Sequence, residues 1–153
     1  MIEVKTNQQQ NIRLLAVKAL SEINRNGAYA NIKLQEYLQK YHLSDLDRRF
    51  FTELVYGVIR RKNYLDAIIV FFAKRTLKKL SSMVVEILRL GIYQIIYMDK
   101  VPESAAVNES VKLAKKLTRG LSGFVNAVLR SVLRESDSIS IGELEIGRAS
   151  CRE

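Results

Sequence analysis

Cationic side chains recur in short clusters along this chain: Arg60-Arg61-Lys62, Lys74-Arg75, Lys78-Lys79, then Lys112, Lys115, Lys116 and Arg119, and last Arg130 with Arg134. Lysine and arginine grouped in this way suit phosphate, which is held by several positive charges set along one track. Each cluster alone also reads as a solvated helix face. Together with the net charge they read better as a phosphate-binding surface. The 153 residues carry 25 basic and 16 acidic side chains, a net of +9. Residues 1–135 hold 23 of the basic and 12 of the acidic ones, so the body carries +11. Such a charge on a small domain points to nucleic acid first and an acidic membrane surface second.

Other chemistry finds few residues to use. A metal site needs several His, Cys or carboxylate ligands at fixed spacing. His42 is the only histidine and Cys151 the only cysteine, so a Cys–His nucleophile is not expected either. The seven glycines form no phosphate-cradling or dinucleotide-binding loop. No pair of carboxylates stands out as an acid and base. The expectation is a chain with no catalytic residues and no metal ligands. A lone cysteine permits no internal disulfide, and the opening MIEVKTNQQQ has no apolar core of a signal peptide. The expected location is the cytoplasm.

Aromatic residues have two readings here. Tyr29, Tyr37, Tyr41, Tyr56, Tyr64 and Phe124 can offer stacking surfaces to unpaired bases, or can be core. For Phe124 the two readings balance.

The elements that position these groups read as helices. Over 83–98, MVVEILRLGIYQIIYM, apolar residues recur at Val84, Ile87, Leu88, Ile92, Ile95 and Ile96, the spacing of one helical face. Met83, Leu90 and Tyr97 widen that face, which predicts a helix buried on most sides. Glu86, Arg89 and Tyr93 are left as a narrow stripe toward water. A membrane span needs about 20 mostly apolar residues, and this run is shorter and carries Glu86, Arg89 and Gln94, so it reads as a core helix. Before it come predicted helices over 11–24, 30–41, 46–61 and 63–74; after it, 104–117 and 121–134. Ile32, Leu34, Tyr37 and Leu38 are the expected inward residues of the second. Phe50, Leu54, Val58 and Arg61 form the expected face of the third. Asn26-Gly27 ends the first helix, Ser44-Asp45 caps the third, and Pro102 sits in the turn before the sixth. The fold class is all-α, a single bundle of six or seven helices. Residues 1–10 read as a flexible N-terminus and 11–135 as the helical domain. Residues 136–153 lose all periodicity and read as an unstructured tail, with 145–153 resembling a vector-derived scar.

Three stretches together resemble the NusB fold family: FFTELVYGVIRRKNYLD over 50–66, LRLGIYQIIYMDKVPESAAVNESVKLAKK over 88–116, and GFVNAVLRSVLRE over 123–135. The resemblance spans about 11–135. It implies an all-helical RNA-binding bundle, found in two settings. One is the free antitermination factor, which binds the boxA element of ribosomal RNA leaders with ribosomal protein NusE. The other is the N-terminal domain of the RsmB (Sun) family, methyltransferases that use S-adenosylmethionine on cytosine C5 of 16S ribosomal RNA. LVYGVIR, GIYQIIY and the arginine closing VNAVLR resemble the second setting. The first helix keeps only Arg13 where free factors have an arginine-rich run.

By that resemblance Arg13, Phe124, Asn126 and Arg130 match RNA-facing or motif positions, and Asn126 also reads as structural. With the charge clusters, the expected RNA-binding set is Arg13, Arg60, Arg61, Lys112, Lys115, Lys116, Arg119, Phe124, Asn126 and Arg130. The resemblance implies ribosomal RNA as ligand, and no membrane. It places S-adenosylmethionine and the catalysis in a C-terminal methyltransferase domain outside this chain. For a free factor it implies NusE as partner. A domain that only braces a catalytic domain is a further alternative.

Overall fold

Apolar spacing of three and four residues becomes helix throughout the part of the chain that the computed structural model describes, residues 11–27 and 29–139. Among those residues there is no strand. Seven α-helices follow one another: α1 Ile12–Asn26, α2 Ala30–Lys40, α3 Asp45–Arg60, α4 Lys62–Ala73, α5 Ser82–Tyr97, α6 Glu103–Leu117 and α7 Ser122–Arg134. A 3-10 turn, Leu77–Lys79, lies between α4 and α5. The all-α expectation holds, and Ile68–Phe72, strand-like in composition, is helical inside α4. No helix among the described residues is long and apolar enough to cross a membrane. The chain divides into two compact units, the first ending at Ile59 and the second beginning at Arg60.

In the first unit α1 ends where Gly27 turns left-handed at φ 65°, a conformation that costs a glycine little. The Ser44 hydroxyl accepts from the Asp47 N–H at 3.2 Å near the start of α3. Leu14, Val17 and Leu20 of α1 are buried, as are Leu34 and Leu38 of α2. The Tyr37 ring stacks on buried Phe51 at 5.8 Å, and its hydroxyl donates to Glu22 at 2.9 Å. Burial and that carboxylate together push the phenol well above its ordinary pKa. Two expectations need correction. Ile32 is 54% exposed, not inward. It lies two residues before Leu34, about 200° around a helix of 3.6 residues per turn, so it falls opposite the Leu34–Leu38 row. On α3 the fully buried aromatic is Phe51, while Phe50 is half-buried and Arg61 is exposed beyond the helix end.

The second unit is organised around α5. Every residue from Val84 to Gln94 is buried, and the helix contacts α4, α6 and α7. The Ser81 hydroxyl starts it, accepting from the Val84 N–H at 3.3 Å. Gly91 permits the closest approach. A Cβ placed there would lie 2.8 Å from Ser110 Oγ on α6 and 3.0 Å from a Leu129 methyl on α7.

The stripe Glu86, Arg89 and Tyr93 does not reach water as the sequence suggests. These residues are 4%, 7% and 6% exposed. The reason is Asp66 on α4, which supplies the partner a buried arginine needs. Arg89 Nε donates to Asp66 Oδ1 at 2.7 Å, Nη2 to Oδ2 at 3.0 Å, and Nη1 to Glu86 Oε2 at 3.1 Å. Burial alone would lower the arginine pKa. The Asp66 bonds and the Glu86 charge outweigh it and raise the guanidinium above its ordinary value.

The tail also differs from expectation over its first four residues. Residues 136–139 are helical, Ile139 is 5% exposed, and its carbonyl accepts from the Tyr64 hydroxyl at 3.2 Å. One apolar side chain after a polar run gives no periodic signal, yet it is enough to dock a single turn. The rest of the expected tail, the vector-like end, Cys151 and residues 1–10 lie outside the described residues.

Candidate nucleic-acid interface

Helix α6 carries its lysines on the side away from buried Ala106, Val107, Ser110, Leu113 and Ala114. The turn after it passes through Gly120 at φ 69°, and α7 begins at Ser122. A groove of about 770 Å³ lies between the two helices. Lys112, Lys115, Asn108 and Glu109 line it from α6, and Ser122, Gly123 and Asn126 from α7. The first turn of α7 thus forms part of the wall, where a helix N-terminus adds partial positive charge. Lys112 pairs with Glu109 at 3.3 Å, but the lysine side chain is 72% exposed, so the pair holds it only weakly. Lys115 is exposed and has no carboxylate within ion-pair distance among the described residues. Asn126 Oδ1 accepts from Arg130 Nε at 3.1 Å, which turns the exposed Arg130 back along α7 toward the groove wall.

The structure therefore brings Lys112, Lys115 and Asn126 to one concavity, with Arg130 bonded to its edge. Lys116 and Arg119 are exposed on α6 and at its end but do not line the groove. Phe124 is half-buried, and the Arg75 guanidinium lies over its ring, 5.3 Å from the centroid. It is neither a sealed core residue nor a free ring. Arg61 is exposed, with its guanidinium 4.7 Å from the Tyr97 ring centre. Arg60 is exposed at the last position of α3. In the first unit Arg13 is half-buried, 5.1 Å over the half-buried Phe50 ring. Tyr64 is core, whereas Tyr29 is 74% exposed.

Arg75 is the residue that sequence reasoning left out of the expected set. Its cluster was visible, but nothing in the spacing brings the α4–α5 connection to the start of α7. No group of three or more His, Cys, Asp or Glu residues suited to a metal ion occurs among the described residues. His42 is exposed. The groove offers ammonium, amide and hydroxyl groups beside a helix start, with the Glu109 carboxylate paired to Lys112, a set that suits binding an anionic backbone.

Residues 10–134 match the sequence profile of the NusB family. The chain belongs to the NusB family. Its NusB-family relatives fall in two groups. A probable ribosomal RNA small subunit methyltransferase B of Synechocystis is 43% identical, with 86% of this chain matching 32% of that protein. One from Bacillus subtilis is 38% identical, with 84% of this chain matching 29% of it. The transcription antitermination protein NusB of Finegoldia magna is 30% identical over 84% of this chain and 96% of its own length. The chain thus spans about a third of the methyltransferases it matches, and nearly all of that NusB protein. The NusB fold is shared with a solved structure of T. maritima NusB, at a TM-score of 0.74, 24% identity, and coverage of 81% of this chain and 89% of that one.

Proposed function

We propose that this chain is the RNA-binding accessory domain of an RsmB-like methyltransferase acting on cytosine C5 of 16S ribosomal RNA, and that it performs no chemistry itself. The observation that carries the RNA reading is the α6–α7 groove, where Lys112, Lys115 and Asn126 share one wall system with the start of α7. Several phosphates of one strand can meet those groups at once, and each contact releases counterions. Support for the methyltransferase setting comes from the two relatives above, which are more identical to this chain than the Finegoldia protein is. In this reading S-adenosylmethionine and the bond-forming residues belong to a C-terminal methyltransferase domain, and the partner of this domain is ribosomal RNA in the cytoplasm.

The test is affinity for a 16S ribosomal RNA fragment at several salt concentrations. Reversing Lys112 and Lys115 to Glu should weaken binding and lower the salt slope by about one to two units, with the circular dichroism spectrum unchanged because both side chains are exposed. Unchanged affinity and slope in the folded double variant would remove the groove as the site. The near-complete coverage of the Finegoldia protein favours a second reading, a free antitermination factor that binds leader RNA with NusE. Tighter binding to a boxA leader RNA than to the 16S fragment, increased by added NusE, would select it.

A further inference from the structure

We infer that the connection between α4 and α5, together with Phe71 one turn before it, is a second part of the RNA surface and takes unpaired nucleotides. This rests on the RNA reading above and names the class of RNA. Phe71 is 67% exposed, the most exposed phenylalanine among the described residues. Its ring is held edge-on by half-buried Phe72, at 5.0 Å and 83°. A ring fixed from one side and open on the other is a platform rather than a loose side chain.

The charge around it is of one sign. From Ala67 to Val85 the sequence holds Lys74, Arg75, Lys78 and Lys79 and no acidic residue. All four are exposed, and none forms an ion pair among the described residues. Lys74 even occupies a left-handed position, φ 56°, where glycine is the unstrained choice. Arg75 joins this stretch to the groove, since its guanidinium covers Phe124, two residues before Asn126 on the groove wall.

Exposed rings set among unpaired cations are how single strands are bound without a sequence code: bases stack on the rings while phosphates meet the cations. A duplex offers no free base face to a projecting phenyl ring. A protein partner would call for a wider apolar patch, but only Val70, 38% exposed, joins Phe71 here. A membrane-surface helix would need a long apolar stripe, and the rest of α4's apolar face, Leu65, Ile68 and Ile69, is core.

The experiment uses the intact chain and a fluorescent 12-nucleotide oligoribonucleotide of mixed sequence, single-stranded or annealed to its complement, titrated at several salt concentrations. The single strand should bind more tightly. Phe71→Ala should lower its affinity by roughly 5- to 150-fold with the salt slope kept, as expected for loss of one stacked base. Lys78→Glu with Lys79→Glu should reduce the slope by about one to two units. Circular dichroism confirms folding of each variant. Unchanged single-strand affinity in Phe71→Ala, or an equal loss for the duplex, overturns the inference. If Lys112→Glu with Lys115→Glu weakens binding while Phe71→Ala does not, this inference fails and the groove stands. If the unaltered chain binds neither RNA, both fail. Capture of phosphatidylserine vesicles that depends on Phe71, without any Phe71 effect on RNA, also overturns it and assigns the ring to a membrane.

Discussion

Replacing Arg89 with methionine should be among the most damaging single changes in the second unit. Methionine fills much of the same volume but removes three hydrogen bonds, at 2.7, 3.0 and 3.1 Å, and the positive charge that faces Asp66 and Glu86. The Glu86 side chain is 5% exposed, so without the arginine its carboxylate has little water to turn to, whereas Asp66 at 18% is partly hydrated. Breaking a buried pair from one side costs about 3–5 kcal/mol. Partial hydration of Asp66 places the expected loss near the lower bound, about 3 kcal/mol by that rule. A urea melt reads it directly: with a slope of about 2 kcal/mol/M, the midpoint falls by about 1.5 M and the slope is unchanged. Adding Asp66→Asn and Glu86→Gln should recover part of the loss at pH 7. A loss below about 1 kcal/mol, far under the range for a broken buried pair, would refute this account of Arg89.

Gly91→Ala should cost about 1–2 kcal/mol, because overpacking against Ser110 Oγ at 2.8 Å and the Leu129 methyls exceeds the gain in helix propensity. Ser110→Ala in the same chain should return part of it, and thermal melts of the single and double variants check both. Ending the chain after Glu135 removes buried Ile139 and the carbonyl that the Tyr64 hydroxyl uses. It should lower stability by about 2 kcal/mol, the low end for losing a buried isoleucine; a melting temperature equal to that of the full chain would show that this turn contributes nothing.

The helices were legible because each carries a one-sided apolar pattern, and several of their ends because Gly27, Ser44 and Pro102 are residues that start or stop helices for local reasons. Ile32 was misplaced by helix geometry alone, but two other failures involved a partner distant in sequence. Arg89 and Glu86 look like surface until Asp66 is placed against them. Ile139 looks like tail until Tyr64 is there to bond its carbonyl. The candidate site divides in the same way. Lys112 and Lys115 share a helix face by spacing, so their meeting in one groove could be read ahead. Arg75 reaches Phe124 only through the packing of α4 on α7, which no local pattern encodes.

Helix α5 presents buried side chains along eleven consecutive positions and leaves a partner almost nothing to touch. In the reading proposed above, recognition by the second unit falls to the outer residues of α4, α6 and α7 and to the connection after α4. Those residues, Phe71, Lys78, Lys112 and Lys115 among them, carry little of the folding energy, since they are exposed. Ligand preference can drift by surface substitution while the scaffold stays constant. One bundle can in this way serve both as a small free-standing protein and as a module appended to an enzyme.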